Sequence, residues 1–310
     1  MRSVATSGEQ KRSVFGGHEK FVFRQGWLKK GVDLVGHDPT IFTRDDALVR
    51  LGVGKNMVRS IRHWCLATGV LEPPSSRPKV ALQPTPLGTL LFGREGRDPY
   101  LEDVGTLWLL HWQLASGAYS YVWELVFTTF LEREFTRHRL AEFVSRQFDR
   151  DGIRTTSQMV EREVDVCLRT YVPAKAKSTG SSEDGLDCPL AELGLIRSSR
   201  EERVYTFMIG PKPLLPAEIF GYALLHFLAR IAQERRTVAV DECLYHPGSP
   251  GQAFKLDENS VVSYLEALEE KMSGSIRLQE TAGLRQLYLH GLALDNVSEH
   301  AFDLLRSYYE

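Results

Sequence analysis

Apolar residues in the first third of the chain recur at helical spacing directly after a glycine-bounded turn, Leu51-Gly52-Val53-Gly54. The apolar face of the predicted helix consists of Met57, Val58, Ile61 and Trp64. The opposite, polar face is predicted to carry Lys55, Asn56, Arg59, Arg62 and His63. A tight turn that leads into an amphipathic helix with a basic exposed side is typical of a DNA-reading helix.

Short elements surround this helix in a definite order. Thr43 is predicted to cap a short helix before the turn, and two short strands are expected near residues 70–72 and 80–83. Helix, turn, helix and strand pair predict a winged helix-turn-helix domain at about residues 40–95. The alternative for the basic helix is a solvated face in a protein-binding winged-helix domain.

The same order recurs further along the chain, with helices predicted near residues 135–148 and 156–171 before a strand at 204–208. A third recurrence is expected over residues 220–289, and residues 106–131 are predicted to form a buried helical hairpin. We therefore predict a mainly α fold with small β wings (α+β), built from winged helix-turn-helix modules around a helical core. The predicted divisions are a disordered arm (1–14), an N-terminal winged-helix DNA-binding domain (15–100), a helical hairpin core (101–134), a second winged-helix-like domain (135–215) and a C-terminal winged-helix-like region (216–310).

The charge is unevenly distributed along the chain. Residues 1–100 contain 16 Lys and Arg residues against 9 Asp and Glu residues, whereas residues 101–310 contain 22 against 31. The formal net charge of −2 conceals this split. A basic first third favours a polyanionic partner there, and Lys29 and Lys30 are assigned with the polar face of the helix as DNA contacts.

Cysteine spacing and hydropathy bear on the compartment. The four cysteines are far apart and form no CxxC pair, which argues against a zinc ribbon or a disulfide framework. The sequence shows no secretory leader and no apolar stretch of about twenty residues. We expect a cytoplasmic protein that does not enter a membrane.

A second candidate site lies in the aromatic segment 15–30, where Gly16 and Gly17 precede adjacent His18 and Glu19, with Arg24 further on. Histidine can act as a general base, glutamate can bind a divalent ion, and arginine can stabilise phosphoryl charge. This set predicts phosphodiester cleavage. The alternative is structural: Glu19 pairs with Arg24, and His18 plugs an aromatic core.

Other patterns are weaker. Gly54-Lys55 imitates the end of a phosphate-binding P-loop, but Val49 stands where the first glycine is needed and Asn56 replaces the required Ser or Thr. Acidic residues such as Glu161, Glu163 and Asp165 are interpreted mostly as solvated helix faces. The aromatic stripe from Trp108 to Trp123 is interpreted as core packing, with base stacking as the alternative.

Several segments together resemble a bacterial family. They are FGGHEKFVFRQGWLKK (15–30), LGVGKNMV (51–58), WLLHW (108–112) and LAS (114–116). They are similar to the SspB-like family of domains of unknown function, whose best-understood role is the nicking component of single-strand DNA phosphorothioation (Ssp) systems. The resemblance covers most of the chain.

The resemblance implies a nicking endonuclease that acts on double-stranded DNA in sulfur modification and phage defence. It also implies work alongside a cysteine desulfurase, an ATPase and a reductase-like sulfur-activating enzyme. Mg²⁺ or Mn²⁺ is the expected cofactor, and His18, Glu19 and Arg24 are the hypothesised catalytic residues. The alternatives are a non-enzymatic winged-helix regulator or recognition subunit of a defence complex, and a scaffold.

Overall fold

A computed structural model describes residues 16–74, 80–117, 119–173, 188–199, 203–232, 235–281, 283–290 and 297–310. The predicted disordered arm at residues 1–14 lies outside them, as does Phe15. The described chain divides into two compact units. The first contains the described residues up to Val126 together with Glu132–Phe207, and the second contains Phe127–Leu131 and Met208–Glu310. The boundary predicted at residue 100 falls inside the first unit, and the one predicted at 215 lies near the division after residue 207.

Eight helices of the first unit are described, and most are short. They are α1 (Trp27–His37), α2 (Ala47–Leu51), α3 (Lys55–Ala67), α4 (Pro86–Phe92), α5 (Val104–Ser116), α6 (Tyr121–Glu124), α7 (Arg137–Arg150) and α8 (Ser157–Tyr171). Single helical turns occur at Ile41–Thr43, Leu125–Thr129 and Pro189–Leu193. The strands of this unit are β1 (Leu71–Glu72), β2 (Gln83–Pro84), β3 (Glu134–Thr136), β4 (Ile196–Ser198) and β5 (Val204–Phe207).

The second unit repeats the mixture of helices and short strands. Its described helices are α9 (Ala217–Ile231), α10 (Val240–Tyr245), α11 (Pro250–Ala253), α12 (Glu258–Lys271) and α13 (Val297–Tyr309). Its described strands are β6 (Thr237–Ala239), β7 (Ile276–Thr281) and β8 (Leu284–Leu289). Helix content of 56% against 11% strand, with small antiparallel sheets, agrees with the predicted α+β class.

The two three-stranded sheets have the same topology. In the first unit β3 pairs with β5, which pairs with β4, and Phe135 lies opposite Tyr205. In the second unit β6 pairs with β8, which pairs with β7, and Val238 lies opposite Leu287. In each case helices separate the first strand from a closing antiparallel pair. The smaller β1–β2 sheet follows α3 in the same way, so α3, α8 and α12 hold equivalent positions before a strand pair.

Glycines on α1 and α9 allow these equivalent helices to pack closely. A Cβ atom on Gly31 would lie 2.4 Å from Cys65 Sγ of α3, and one on Gly221 would lie 2.6 Å from Leu268 Cδ2 of α12. Both distances are shorter than real Cβ contacts, so a side chain at either position would push the helices apart. Both α3 and α12 therefore pack closely against a glycine of an earlier helix.

The aromatic stripe forms core, as predicted. Trp108, Trp112 and Trp123 are at most 2% exposed. His111 Nδ1 lies 2.8 Å from the Tyr171 hydroxyl, which links α5 to α8. The described cysteines are buried free thiols. None of the helices that the structure describes has both the length and the apolar character needed to cross a bilayer.

Candidate nucleic-acid interface

Helix α3 presents a basic face to solvent. Lys55, Asn56 and Arg59 are exposed and Arg62 is half-buried, while the helix sequence KNMVRSIRHWCLA contains no acidic residue. Val58, Ile61 and Trp64 are buried on the other side, as the periodicity predicts. Four of the five α3 side chains assigned to DNA are therefore at least partly exposed on this helix, and His63 is the exception.

The beginning of α3 is open to an anion. Gly54 precedes the helix in an extended conformation (φ −68°, ψ 161°) and provides no side-chain cap. The first backbone N–H groups of a helix lack intrahelical acceptors and carry partial positive charge. Exposed Lys55 and Asn56 stand beside these groups. This arrangement is one that binds phosphate oxygens in other proteins.

His63 does not lie on the polar face, so its assignment as an exposed DNA contact needs correction. Its ring is 9% exposed and lies 5.6 Å from the ring of His18. A Cβ atom on Gly17 would lie 2.6 Å from His63 Nδ1, so the ring packs on the backbone of the preceding turn. Burial is the main cause that lowers the pKa of His63 to about 3, and the nearby His18 ring and Arg62 guanidinium act in the same direction. His63 is neutral and part of the interior.

The segment around His18 is a tight turn rather than a helix. Gly16, Glu19 and Lys20 all have positive φ angles, of 77°, 48° and 69°. Glu19 N donates to the Gly16 carbonyl at 3.0 Å, and Phe21 N donates to the His18 carbonyl at 2.8 Å. We call residues 16–20 the glycine turn. Because the chain is not helical there, Arg24 does not follow His18 along a helix.

His18 faces a buried carboxylate. Its Nε2 atom lies 3.0 Å from Glu163 Oε1 on α8, and both side chains are almost fully buried. His18 Nδ1 accepts a hydrogen bond from Lys20 N at 3.1 Å, so Nε2 is the ring nitrogen that carries a proton toward Glu163. The ring N–H is not aligned well enough for a regular hydrogen bond, which makes the contact mainly electrostatic. The same carboxylate oxygen accepts the Gly16 N–H at 2.7 Å.

The interpretation of Glu163 as a solvated acid was therefore wrong, since Glu163 is only 3% exposed. Its position gave a signal: Glu163 follows Val160 by three residues and precedes Cys167 by four, which places it on the apolar face of α8. A carboxylate at such a position needs a buried partner. Trp123, whose ring lies 6.4 Å from that of His18, completes this interior and carried no comparable signal.

The three hypothesised catalytic side chains do not form an exposed site. His18 is 1% exposed, and Glu19 Oε1 lies 3.0 Å from Arg59 Nη1 instead of pairing with Arg24. The Arg24 guanidinium lies over the rings of Phe21 and Trp27, at 5.7 and 5.5 Å from their centroids. This geometry favours the structural alternative for His18, and a catalytic role for the set stays a prediction.

The glycine turn joins two of the three equivalent helices. Toward α3, Gly17 packs against His63 and Glu19 pairs with Arg59. Toward α8, Gly16 and His18 contact Glu163, and Arg169 Nη1 approaches the Lys20 carbonyl at 3.4 Å. The glycine turn is thus held between the basic helix and its counterpart in the same unit.

The remaining predicted contacts occupy α1. Lys30 is exposed, and Lys29 forms an ion pair with Asp33 at 2.5 Å. Among the described residues, no three His, Cys, Asp or Glu side chains come together as a metal site requires. Within this part of the chain the structure thus shows no three-residue ligand set for the predicted Mg²⁺ or Mn²⁺.

Comparison with known proteins gives a consistent result. The family model for a protein of unknown function, DUF4007, matches residues 15–309. A crystal structure of magnesium-bound SspB has a TM-score of 0.84 and 32% identity, covering 96% of this chain and 88% of that chain. Another SspB crystal structure has a TM-score of 0.84 and 31% identity, covering 97% and 90%. No curated protein matches the chain.

Proposed function

The chain belongs to the DUF4007 family, and from its likeness to SspB we propose that it is the DNA-binding, nicking component of a bacterial DNA phosphorothioation system. The SspB-like resemblance predicted from the sequence is confirmed. In the proposal, double-stranded DNA is the substrate. A cysteine desulfurase, an ATPase and a reductase-like enzyme that activates sulfur are its partners, and the setting is cytoplasmic phage defence.

The observation that supports DNA binding is the exposed, acid-free face of α3. In the proposal, α2 and α3 act as a helix-turn-helix, and β1 and β2 form the wing. Lys55, Arg59 and Arg62 contact phosphates, while Asn56 contacts a base edge or a phosphate. Lys29 and Lys30 extend the basic surface. The two three-stranded sheets would be the wings of two further modules of the same kind.

The nicking step comes from the likeness to SspB. A divalent ion would supply Lewis-acid stabilisation of the phosphodiester, but the described residues offer it no ligand cluster. His18 is buried against Glu163, and the Glu19 carboxylate forms an ion pair with Arg59. We therefore assign no chemical step to His18, Glu19 or Arg24 in this conformation, because His18 is buried and the other two side chains contact protein groups.

These same contacts favour a second candidate, a non-enzymatic recognition subunit that delivers DNA to a partner. It shares the basic face of α3 with the nickase and differs only in the chemical step. The two candidates are separated by measuring binding and strand cleavage on the same preparations.

Binding is measured by fluorescence anisotropy with a duplex between about 50 and 200 mM salt. Replacing Arg59 and Arg62 together by alanine should weaken binding and reduce the slope of log K against log salt by as much as about 1.8, the value for two phosphate contacts. Exposed Arg236 and Arg306 in the second unit provide a charge-matched double alanine control. Equal losses in both double variants would contradict binding by α3.

Cleavage is measured by incubating supercoiled plasmid with the protein and Mg²⁺ or Mn²⁺. Open-circular product that disappears with the α3 double variant supports the nickase. Retained duplex binding without product under either metal supports the recognition subunit. Absence of both binding and cleavage removes both candidates.

A further inference from the structure

We propose that Glu19 is a built-in competitor of DNA: its carboxylate engages Arg59 in the free protein and is displaced from it by a backbone phosphate when DNA binds. In this role Glu19 sets the affinity and salt dependence of the interface. The inference rests on the proposed DNA binding by α3. It concerns a residue for which the sequence suggested a different role, that of a metal or catalytic ligand.

The contact has the chemistry that such competition requires. Arg59 Nη1 lies 3.0 Å from Glu19 Oε1, and 57% of the Arg59 side chain and 29% of the Glu19 side chain remain exposed. Carboxylate and phosphate present similar oxygen acceptors to a guanidinium group. Within the described part of the chain, no carboxylate lies at ion-pair distance from Lys55 or Arg62. Glu19 therefore places a negative charge in the middle of an otherwise basic face.

The glycine turn holds Glu19 in place independently of Arg59. Glu19 and Lys20 both adopt left-handed backbone conformations, which are unfavourable for residues with a side chain. The surrounding contacts impose this shape: Glu163 accepts the Gly16 N–H and faces His18. An exposed ion pair alone contributes little stability. The interior, rather than the ion pair, positions the Glu19 carboxylate.

Because the interior positions the Glu19 carboxylate, it stays in place when DNA binds. Arg59 is exposed and can turn from one acceptor to another at small cost. The turn keeps the Glu19 carboxylate nearby, so its charge opposes the incoming phosphate even after Arg59 has left it. Glu19 thereby weakens docking through phosphates alone and makes binding depend more on the other contacts of the interface.

The test compares the full-length chain with E19Q, which keeps the shape of the side chain and removes its charge. E19Q should bind duplex DNA about two- to fivefold more tightly at low salt, because the energy of one exposed ion pair is released. The slope of log K against log salt should become steeper by as much as about 0.9, the value for one phosphate contact. The thermal midpoint should stay close to that of the unmodified chain, because the pair is exposed.

Three controls make the test specific. E280Q removes the same charge from another exposed ion pair, Glu280 with Arg285 at 3.0 Å, and should leave binding unchanged. In an R59A background, E19Q should lose most of its gain, since the two residues act through one contact. E19D, which keeps the charge on a shorter side chain, should give no steepening of the salt slope.

The results separate this inference from the proposed function. Equal or weaker binding by E19Q, or an equal gain from E280Q, overturns the role of Glu19 while binding by the unmodified chain still supports the function. A gain that persists in full in the R59A background also overturns it. If neither the unmodified chain nor E19Q binds duplex DNA at any salt concentration, the proposed function fails and the inference fails with it.

Discussion

Helices α3 and α12 occupy equivalent positions but have opposite outer surfaces. Each precedes an antiparallel strand pair and packs against a glycine of an earlier helix, Gly31 for α3 and Gly221 for α12. The charged residues of α3 are Lys55, Arg59 and Arg62. Those of α12 are Glu258, Glu266, Glu269, Glu270 and Lys271. The two helices hold the same place in their modules and differ in the charge of their outer faces. That charge determines the kind of partner each face suits.

The beginnings of the two helices differ in the same sense. Gly54 leaves the first turn of α3 without a side-chain cap. Asp257 caps α12, and its carboxylate accepts the Ser260 N–H at 2.9 Å. The open beginning of α3 can receive a phosphate, whereas the carboxylate on α12 already fills that position and would repel one. Helix α12 therefore shares the packing of α3 but has an acidic outer face and a capped beginning.

The buried surroundings of the two helices differ as well. This difference leads to the largest expected effect, a change in the free energy of unfolding. The inward faces of both helices are apolar, but beside α3 the ring of His63 packs against His18, which contacts the buried Glu163 of α8. His18→Ala should lower the free energy of unfolding by about 2 to 4 kcal/mol, because it leaves a buried carboxylate with fewer partners. Chemical denaturation measures this. His300→Ala, at an exposed position of α13, is the control. An unchanged midpoint for His18→Ala would show that the His18–Glu163 contact is dispensable.

A pH effect of intermediate size separates the two helices further. The folded-state pKa of His63 is about 3 against an ordinary value of 6.5, and α12 contains no histidine. Between these values the unfolded chain binds the proton and the folded chain does not. The free energy of unfolding should therefore fall as the pH drops below 6.5, by as much as about 1.4 kcal/mol per unit.

His63→Gln should remove that part of the slope, whereas His300→Gln should leave it unchanged. Burial and Arg230 also lower the pKa of His226, to about 4, with an effect of the same sign. Only the difference between variant and unmodified chain therefore reports on His63. Urea unfolding between pH 7 and pH 4 measures it. Equal slopes with and without His63 would mean that the ring is reached by water in the folded state.

The smallest expected effect tests the beginning of α3. Gly54→Asp should give α3 the kind of cap that Asp257 gives α12. This should raise the free energy of unfolding by roughly a few tenths of a kcal/mol. The new carboxylate should at the same time weaken duplex binding, because it competes with phosphate for the same N–H groups. Gly54→Ser, which caps without charge, is the matched control. Parallel changes in stability and affinity for Gly54→Asp would argue against phosphate at this position.

The local pattern was sufficient for much of the fold. The glycine-bounded start of α3 and its apolar residues Val58, Ile61 and Trp64 were predicted correctly, because a helical period records the face that packs inward. The recurrent order of helices and strand pairs was also readable, since capping residues such as Thr136 and Thr156 accept the N–H groups at the starts of α7 and α8.

The candidate site depended more on contacts between distant segments. The side of α3 that carries His63 is covered by the glycine turn, through Gly17 and His18. Gly16 and Glu163 are separated by 147 positions, yet they share a hydrogen bond that fixes the turn. Periodicity has no access to such pairs, because it describes one element and not the partner that covers it.

By itself, the sequence determined that this chain has a basic first third with an amphipathic helix at Lys55, in an α+β fold of SspB-like character. Charge content and helical period are local properties, which is why they were legible. Tertiary structure alone decided that His63 is interior, that Glu163 faces His18 and that Glu19 pairs with Arg59. These outcomes follow from which distant surfaces meet, and burial then selects which polar groups must find a partner.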